Sequence, residues 1–139
     1  MDLESADILL VSSWLPIPNL RFSGIVNTDN AVIVRQSGME AYAKDNALNP
    51  EELQDGRFAI FAKYGRNHIA RTDALGQDAL FYFQDGTNWA ISNSFLALCK
   101  HLEQKRVKLT LYRPALIPLL VTHVSTQQLL SNQTAVWQI

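Results

Sequence analysis

Along most of this chain, apolar residues come in short runs broken by turn-forming residues, and a clear helical period surfaces only once, late in the sequence. Ile8 to Val11 is the first such run, flanked by polar residues, and predicts a strand. Trp14-Leu15-Pro16-Ile17-Pro18 cannot extend it within a central sheet, because neither proline has an N–H for the ladder; an extended connection or edge is expected. Ala31 to Val34 is a second, β-branched run, which Ser37-Gly38 should end, and Met39 to Ala47 is weakly helical. Asn49-Pro50-Glu51-Glu52 then starts a short helix, with Asn as cap, Pro in the first helical position and acids facing the positive end of the dipole. Gly56 should close it.

The signals then become denser. Phe58 to Ala62 predicts a strand, Gly65-Arg66-Asn67 a turn, and His68 to Arg71 the returning strand. Asp73 to Gly76 makes a second turn and Leu80 to Phe83 a third strand, with Asp85-Gly86 as a tight hairpin into a fourth, Trp89 to Ser92. Read locally, this is a four-stranded antiparallel meander. Here the period changes: Phe95, Leu98, Cys99 and Leu102 stand at i, i+3, i+4 and i+7, one stripe of an amphipathic helix. Lys100, Lys105 and Arg106 fall off the stripe and load its second half, as the helix dipole favours. Val107 to Thr110 should be extended, Arg113 to His123 helical with Pro118 bending or limiting it, and Ala135 to Ile139 a last strand. Hairpins followed by helices define an α+β domain built on antiparallel sheet.

Composition narrows the function classes. A chain of 139 residues fits a single domain spanning 1–139. Its 12 Lys and Arg against 13 Asp and Glu give a net charge of −1, without the basic excess of a nucleic-acid binder, so no nucleic-acid partner is expected. The lone Cys99 excludes an internal disulfide, and His68, His101 and His123 lack metal-ligand spacing, so no metal and no cofactor are expected. No run approaches the roughly 18 apolar residues of a membrane span; the longest, Leu116 to Val121, is broken by Pro118, and no membrane partner is expected. Acidic Asp2, Glu4 and Asp7 with no early Lys or Arg do not make a signal peptide, which leaves a cytoplasmic location as the expectation. From Pro114 to Ile139 there is no Asp, Glu, Lys or Arg; such a segment is expected to pack within the domain or against something outside this chain.

Three segments in order carry a resemblance: Asp55-Gly56-Arg57-Phe58-Ala59-Ile60-Phe61, then Arg71-Thr72-Asp73-Ala74-Leu75-Gly76-Gln77-Asp78-Ala79-Leu80-Phe81-Tyr82, then Ile91-Ser92-Asn93-Ser94-Phe95-Leu96-Ala97-Leu98. The series resembles the second half of the glutaminase domain of asparagine synthetases and related class II glutamine amidotransferases. Leu111 to Val121 and Thr134-Ala135-Val136-Trp137-Gln138-Ile139 are similar to the parts that follow in that family. The match runs over about residues 50 to 139 and departs where Thr72 intrudes between Arg71 and Asp73 and where Ala79 replaces the family's Pro. It implies a reduced N-terminal-nucleophile hydrolase fold, an α-β-β-α sandwich.

The resemblance also implies what is missing. That family attacks glutamine with the thiol of an N-terminal Cys whose α-amino group is the base, whereas this sequence begins Met1-Asp2-Leu3. The Arg segment that grips the substrate carboxylate and the later acid that holds its amine have no counterpart, and Ser23-Gly24 and Asn27 are too generic to stand for the oxyanion strand. The region before residue 50 is also short for the family. No activity of its own is expected. Cys99, on the apolar stripe, should be a buried and inert thiol. His101, two residues on, points to a different helix face and should meet solvent; His68 and His123 are expected to be structural. Arg71, Asp73 and Gly76 are read as a structural turn, the carboxylate accepting turn amides and the glycine supplying the unusual backbone angle. Trp14, Trp89 and Trp137 are read as core or interface aromatics.

The function expected from the resemblance is a non-catalytic accessory domain of an asparagine-synthetase-like, amide-forming system. It would dock on an ATP-dependent synthetase or ligase domain in cis or trans, with Leu119, Leu120, Trp137 and Ile139 as candidate interface residues. The alternative is a free-standing interaction or homo-oligomerisation module with no amidotransferase role. An enzyme with an unrecognised site ranks third, because no nucleophile–base pair can be assembled from the sequence.

Overall fold

The computed structural model describes residues 7–109 and the strand Ala135–Gln138. The chain divides into two compact units, one of Met1–Leu9 with Ile17–Ala79, the other of Leu10–Pro16 with Leu80–Ile139. Each holds a four-stranded antiparallel sheet and one described α-helix, which is the α+β class expected.

In the first unit, β2 (Leu20–Asn27), β3 (Val32–Val34), β4 (Asp55–Tyr64) and β5 (Asn67–Thr72) stand in the order β3-β2-β4-β5. Phe22 is registered with Ile60, and Val26 with both Gly56 and Ile33, so alternate residues of the three strands share one sheet face. That face packs Phe22, Val26, Ile33, Phe58 and Ile60 with Leu53 and with Met39 of α1 (Arg35–Asp45). The Phe22 and Phe58 rings stack 5.9 Å apart.

Two local expectations change here. Ser37 and Gly38 lie inside α1 rather than ending a strand; Arg35, at a φ of 59°, makes the reversal and runs β3 straight into the helix. Asn49 does cap as expected, its side chain accepting the Glu51 N–H at 3.0 Å, but the helix is a single 3-10 turn, Pro50–Glu52, and Gly56 belongs to β4. Leu53 leaves that turn for the core, which ends it without a glycine.

β3 covers only the far end of β2. At the near end Gln36 completes the ladder: its Oε1 accepts the Phe22 N–H at 2.6 Å and its Nε2 donates to the Leu20 carbonyl at 3.1 Å. Asp7 Oδ1 accepts the next outward N–H, that of Gly24, at 3.1 Å. Side chains stand where an edge strand would otherwise pair. Gln36→Ala strands both backbone groups and should lower the unfolding free energy by about 1–3 kcal/mol, read from the urea midpoint.

In the second unit, β1 (Leu10–Ser12), β6 (Phe81–Asp85), β7 (Asn88–Ser92) and β8 (Ala135–Gln138) stand in the order β1-β7-β6-β8. Asp85 pairs with Asn88 across Gly86-Thr87, the hairpin that Asp-Gly predicts. Helix α2 (Phe95–Gln104) starts at Ser94, whose Oγ accepts the Ala97 N–H at 3.2 Å. Its stripe sets Leu98 and Leu102 into a cluster with Phe83 and Ala90, with Phe95, Cys99, Val107 and Leu109 packed against it. The helix closes where Arg106 takes a φ of 60° and the Val107 N–H returns to the Leu102 carbonyl at 2.9 Å.

The expected meander is therefore not formed. β4–β5 joins β2 and β3, while β6–β7 joins β1 and β8, so the Asp73 to Gly76 turn links two sheets instead of neighbouring strands. β4 and β7 each take a partner from far along the chain, which local turn signals do not encode. Val107–Leu109 belongs to no helix or strand, and the last strand is observed as β8. Thr110 and the helix expected over Arg113 to His123 lie outside the described residues.

Candidate functional site

The turn after β5 gathers the residues singled out in the sequence. Asp73 is 4% exposed, and its carboxylate accepts three backbone N–H groups: Phe58 at 3.3 Å and Asp78 at 3.2 Å on Oδ1, and Gln77 at 2.9 Å on Oδ2. Burial alone would raise its pKa, but the hydrogen bonds from Gln77, Asp78 and Phe58 outweigh that and hold the carboxyl below its ordinary range. Gly76, at a φ of 62°, closes the turn by donating to the Asp73 carbonyl at 3.0 Å. Arg71 completes a different contact. Its Nη1 donates to the carbonyls of Pro50 at 3.0 Å and Glu51 at 2.6 Å, pinning β5 to the 3-10 turn.

Asp78 stands in the same neighbourhood. Burial raises its pKa first; the Arg57 charge lowers it, and the charges of Asp73 and Asp7 raise it. Among the described residues, no three His, Cys, Asp or Glu side chains are placed to hold a metal ion. A cavity of about 330 Å³ lies nearby in this unit, lined by Asn27, Asp29, Tyr42, Asn49, Glu52 and Asp55 among others. Its charged lining is carboxylate throughout, which does not suit an anion.

The second unit holds a pair that sequence reasoning missed. His101 is buried rather than solvent-facing, at 6% exposure, and its Nε2 lies 2.8 Å from Oγ of fully buried Ser12. The Trp14 ring meets the imidazole edge-on at a centroid distance of 5.8 Å and stacks on Phe83 at 6.3 Å. Burial, and then the Lys105 charge, lower the His101 pKa, favouring the neutral ring. A neutral imidazole beside a hydroxyl is the chemistry of a general base and a nucleophile, but Ser12 has no exposed surface for a substrate to reach. The signal that could have found His101 is its i+3 spacing from Leu98, which puts it on the flank of the apolar stripe.

The remaining candidates are placed as follows. Cys99 is half-buried against the α2 cluster, and burial, followed by the Glu103 charge, raises its pKa and keeps it a thiol. His68 lies on β5 with its ring stacked on Phe61 at 5.2 Å. The Gly24 N–H, in the segment compared with an oxyanion strand, is already engaged by Asp7. Trp137 belongs to β8, where its backbone is registered with Tyr82. Leu119, Leu120, His123 and Ile139 lie outside the described residues.

A scan against protein-family models, a search of curated proteins and a search of solved structures each find no match to this chain.

Proposed function

We propose that this chain is a non-catalytic, glutamine-amidotransferase-like accessory domain that docks on an ATP-dependent, amide-forming ligase domain in cis or trans. The observation that carries this reading is the layout of the segment bearing the resemblance. Hairpin β4–β5, the carboxylate-locked turn at Asp73, hairpin β6–β7 and helix α2 follow one another in the order the motifs suggest. On this reading the fold is a reduced form of the N-terminal-nucleophile hydrolase fold. The Asp73 turn is then scaffold, and Cys99 is packing.

The test is binding to a separately produced ligase domain carrying a Ser-Gly-Gly-x-Asp-type pyrophosphate loop. At a hundred times the dissociation constant, a partner that binds only the folded state adds about 2.7 kcal/mol, a rise of several degrees in Tm. No shift at saturating ligase domain, with no capture in pull-down, defeats the docking role. Ammonia release from glutamine by this chain alone defeats the non-catalytic one.

A further inference from the structure

We propose that His101 is a pH-operated latch on β1: as a neutral ring it ties Ser12 to helix α2, and when protonated it loosens that strand from the edge of its sheet. The tie spans 89 positions of sequence and joins two groups that are both buried. β1 is three residues long and, among the described residues, is an edge strand that pairs with β7 alone. Beyond the short ladder with β7, the Ser13 N–H donates to the Trp89 carbonyl at 2.9 Å and the Trp89 N–H to Ser13 Oγ at 3.0 Å.

Adding a proton makes both ring nitrogens donors. Among the described residues the Ser12 hydroxyl hydrogen has no acceptor but Nε2, which assigns the neutral ring as acceptor; once protonated, Nε2 can no longer accept, and that hydrogen is left without a partner in a site shut off from water. Among the described residues, β1, Ser13–Pro16 and β7 carry no titratable side chain, while β6 carries Tyr82 and Asp85. Helix α2 carries Cys99, Lys100 and Glu103, and Lys105, which follows it as the C-cap, acts against protonation. Burial, with Lys105, holds the folded-state pKa below the value near 6.5 of a free imidazole. The unfolded or opened state therefore binds more protons, and the hold on β1 is complete above about pH 6.5 and weakens as pH falls through the lower folded value.

Hydrogen exchange of the full chain between pH 7.5 and 4.5, corrected for intrinsic rates, tests this directly. Protection of the β1 amides, Val11 and Ser13, should fall at least about tenfold relative to those of the β6–β7 hairpin, in step with an NMR titration of His101. His101→Gln keeps a hydrogen-bonding partner for Ser12 but cannot titrate, and should abolish the step. The proposal is overturned if β1 and β6–β7 lose protection together, if the imidazole titrates at or above its free value, or if the step persists in His101→Gln. Should the variant not fold, the β1 against β6–β7 comparison in the unmodified chain still decides.

Discussion

Asp73→Ala is expected to lower the unfolding free energy by about 3–5 kcal/mol in urea denaturation, among the largest effects of any single change in this chain. One carboxylate satisfies the backbone N–H groups of Phe58, Gln77 and Asp78, so its removal leaves three donors stranded at a site 4% exposed. Hydrogen bonds to an ionised group contribute roughly 1.5–3 kcal/mol each, but they share one acceptor and one relaxation, so simple addition would overshoot. Asp73→Asn keeps one acceptor oxygen, loses the charge and turns the other end into a donor facing donors; it should recover less than half of the loss. The pH dependence follows from the direction of the shift. Because the folded carboxyl titrates below its ordinary value, its contribution is fully present above about pH 4 and is lost as pH falls through the lower folded value. The deficit of Asp73→Ala should therefore be flat from pH 8 to 5 and shrink only in stronger acid.

Gly24→Ala and Gly56→Ala should each cost about 3–5 kcal/mol and reduce soluble expression. The two glycines flank the Ile25–Arg57 pair on β2 and β4, where the strands approach closely. A methyl at Gly24 would collide with the Arg57 carbonyl oxygen and crowd the Phe58 Cα, and one at Gly56 would do the same to the Ile25 carbonyl and the Val26 Cα. Backbone atoms in the middle of a paired ladder cannot step aside as a side chain can. Their φ angles of 95° and 143° add a strain that any L side chain would meet. Gly65→Ala separates the two effects. Gly65 has a φ of 64° with nothing within 4 Å of an added Cβ, so it should show only the conformational part, about 1–2 kcal/mol.

What the sequence revealed divides by range. The α2 stripe, the Ser94 start, the Asp85-Gly86 hairpin and the Asn49 cap are encoded within a few residues, and each is found where its pattern puts it. Asp73 and Gly76 also form the structural turn read from their chemistry. The pairing of β4 with β2 and of β7 with β1 depends on partners far away in sequence, so successive hairpins resembled one meander. Arg35 hid the β3–α1 junction because a positive φ at a non-glycine residue has no compositional mark. His101 was misplaced by comparison with Cys99 alone; its relation to Leu98, and a partner as distant as Ser12, decide its surroundings.

The second compact unit is discontinuous, drawing Leu10–Pro16 from near one terminus and the rest from Leu80 onward. During synthesis β1 therefore emerges well before β7, the strand it pairs with, exists. At roughly 5–20 residues per second that wait lasts several seconds, and Val11, 1% exposed in the finished protein, spends it in contact with water or with whatever chaperone attends the ribosome. The segment 17–79 is free to fold first, and the capture of β1 is expected to come late in the biogenesis of this chain.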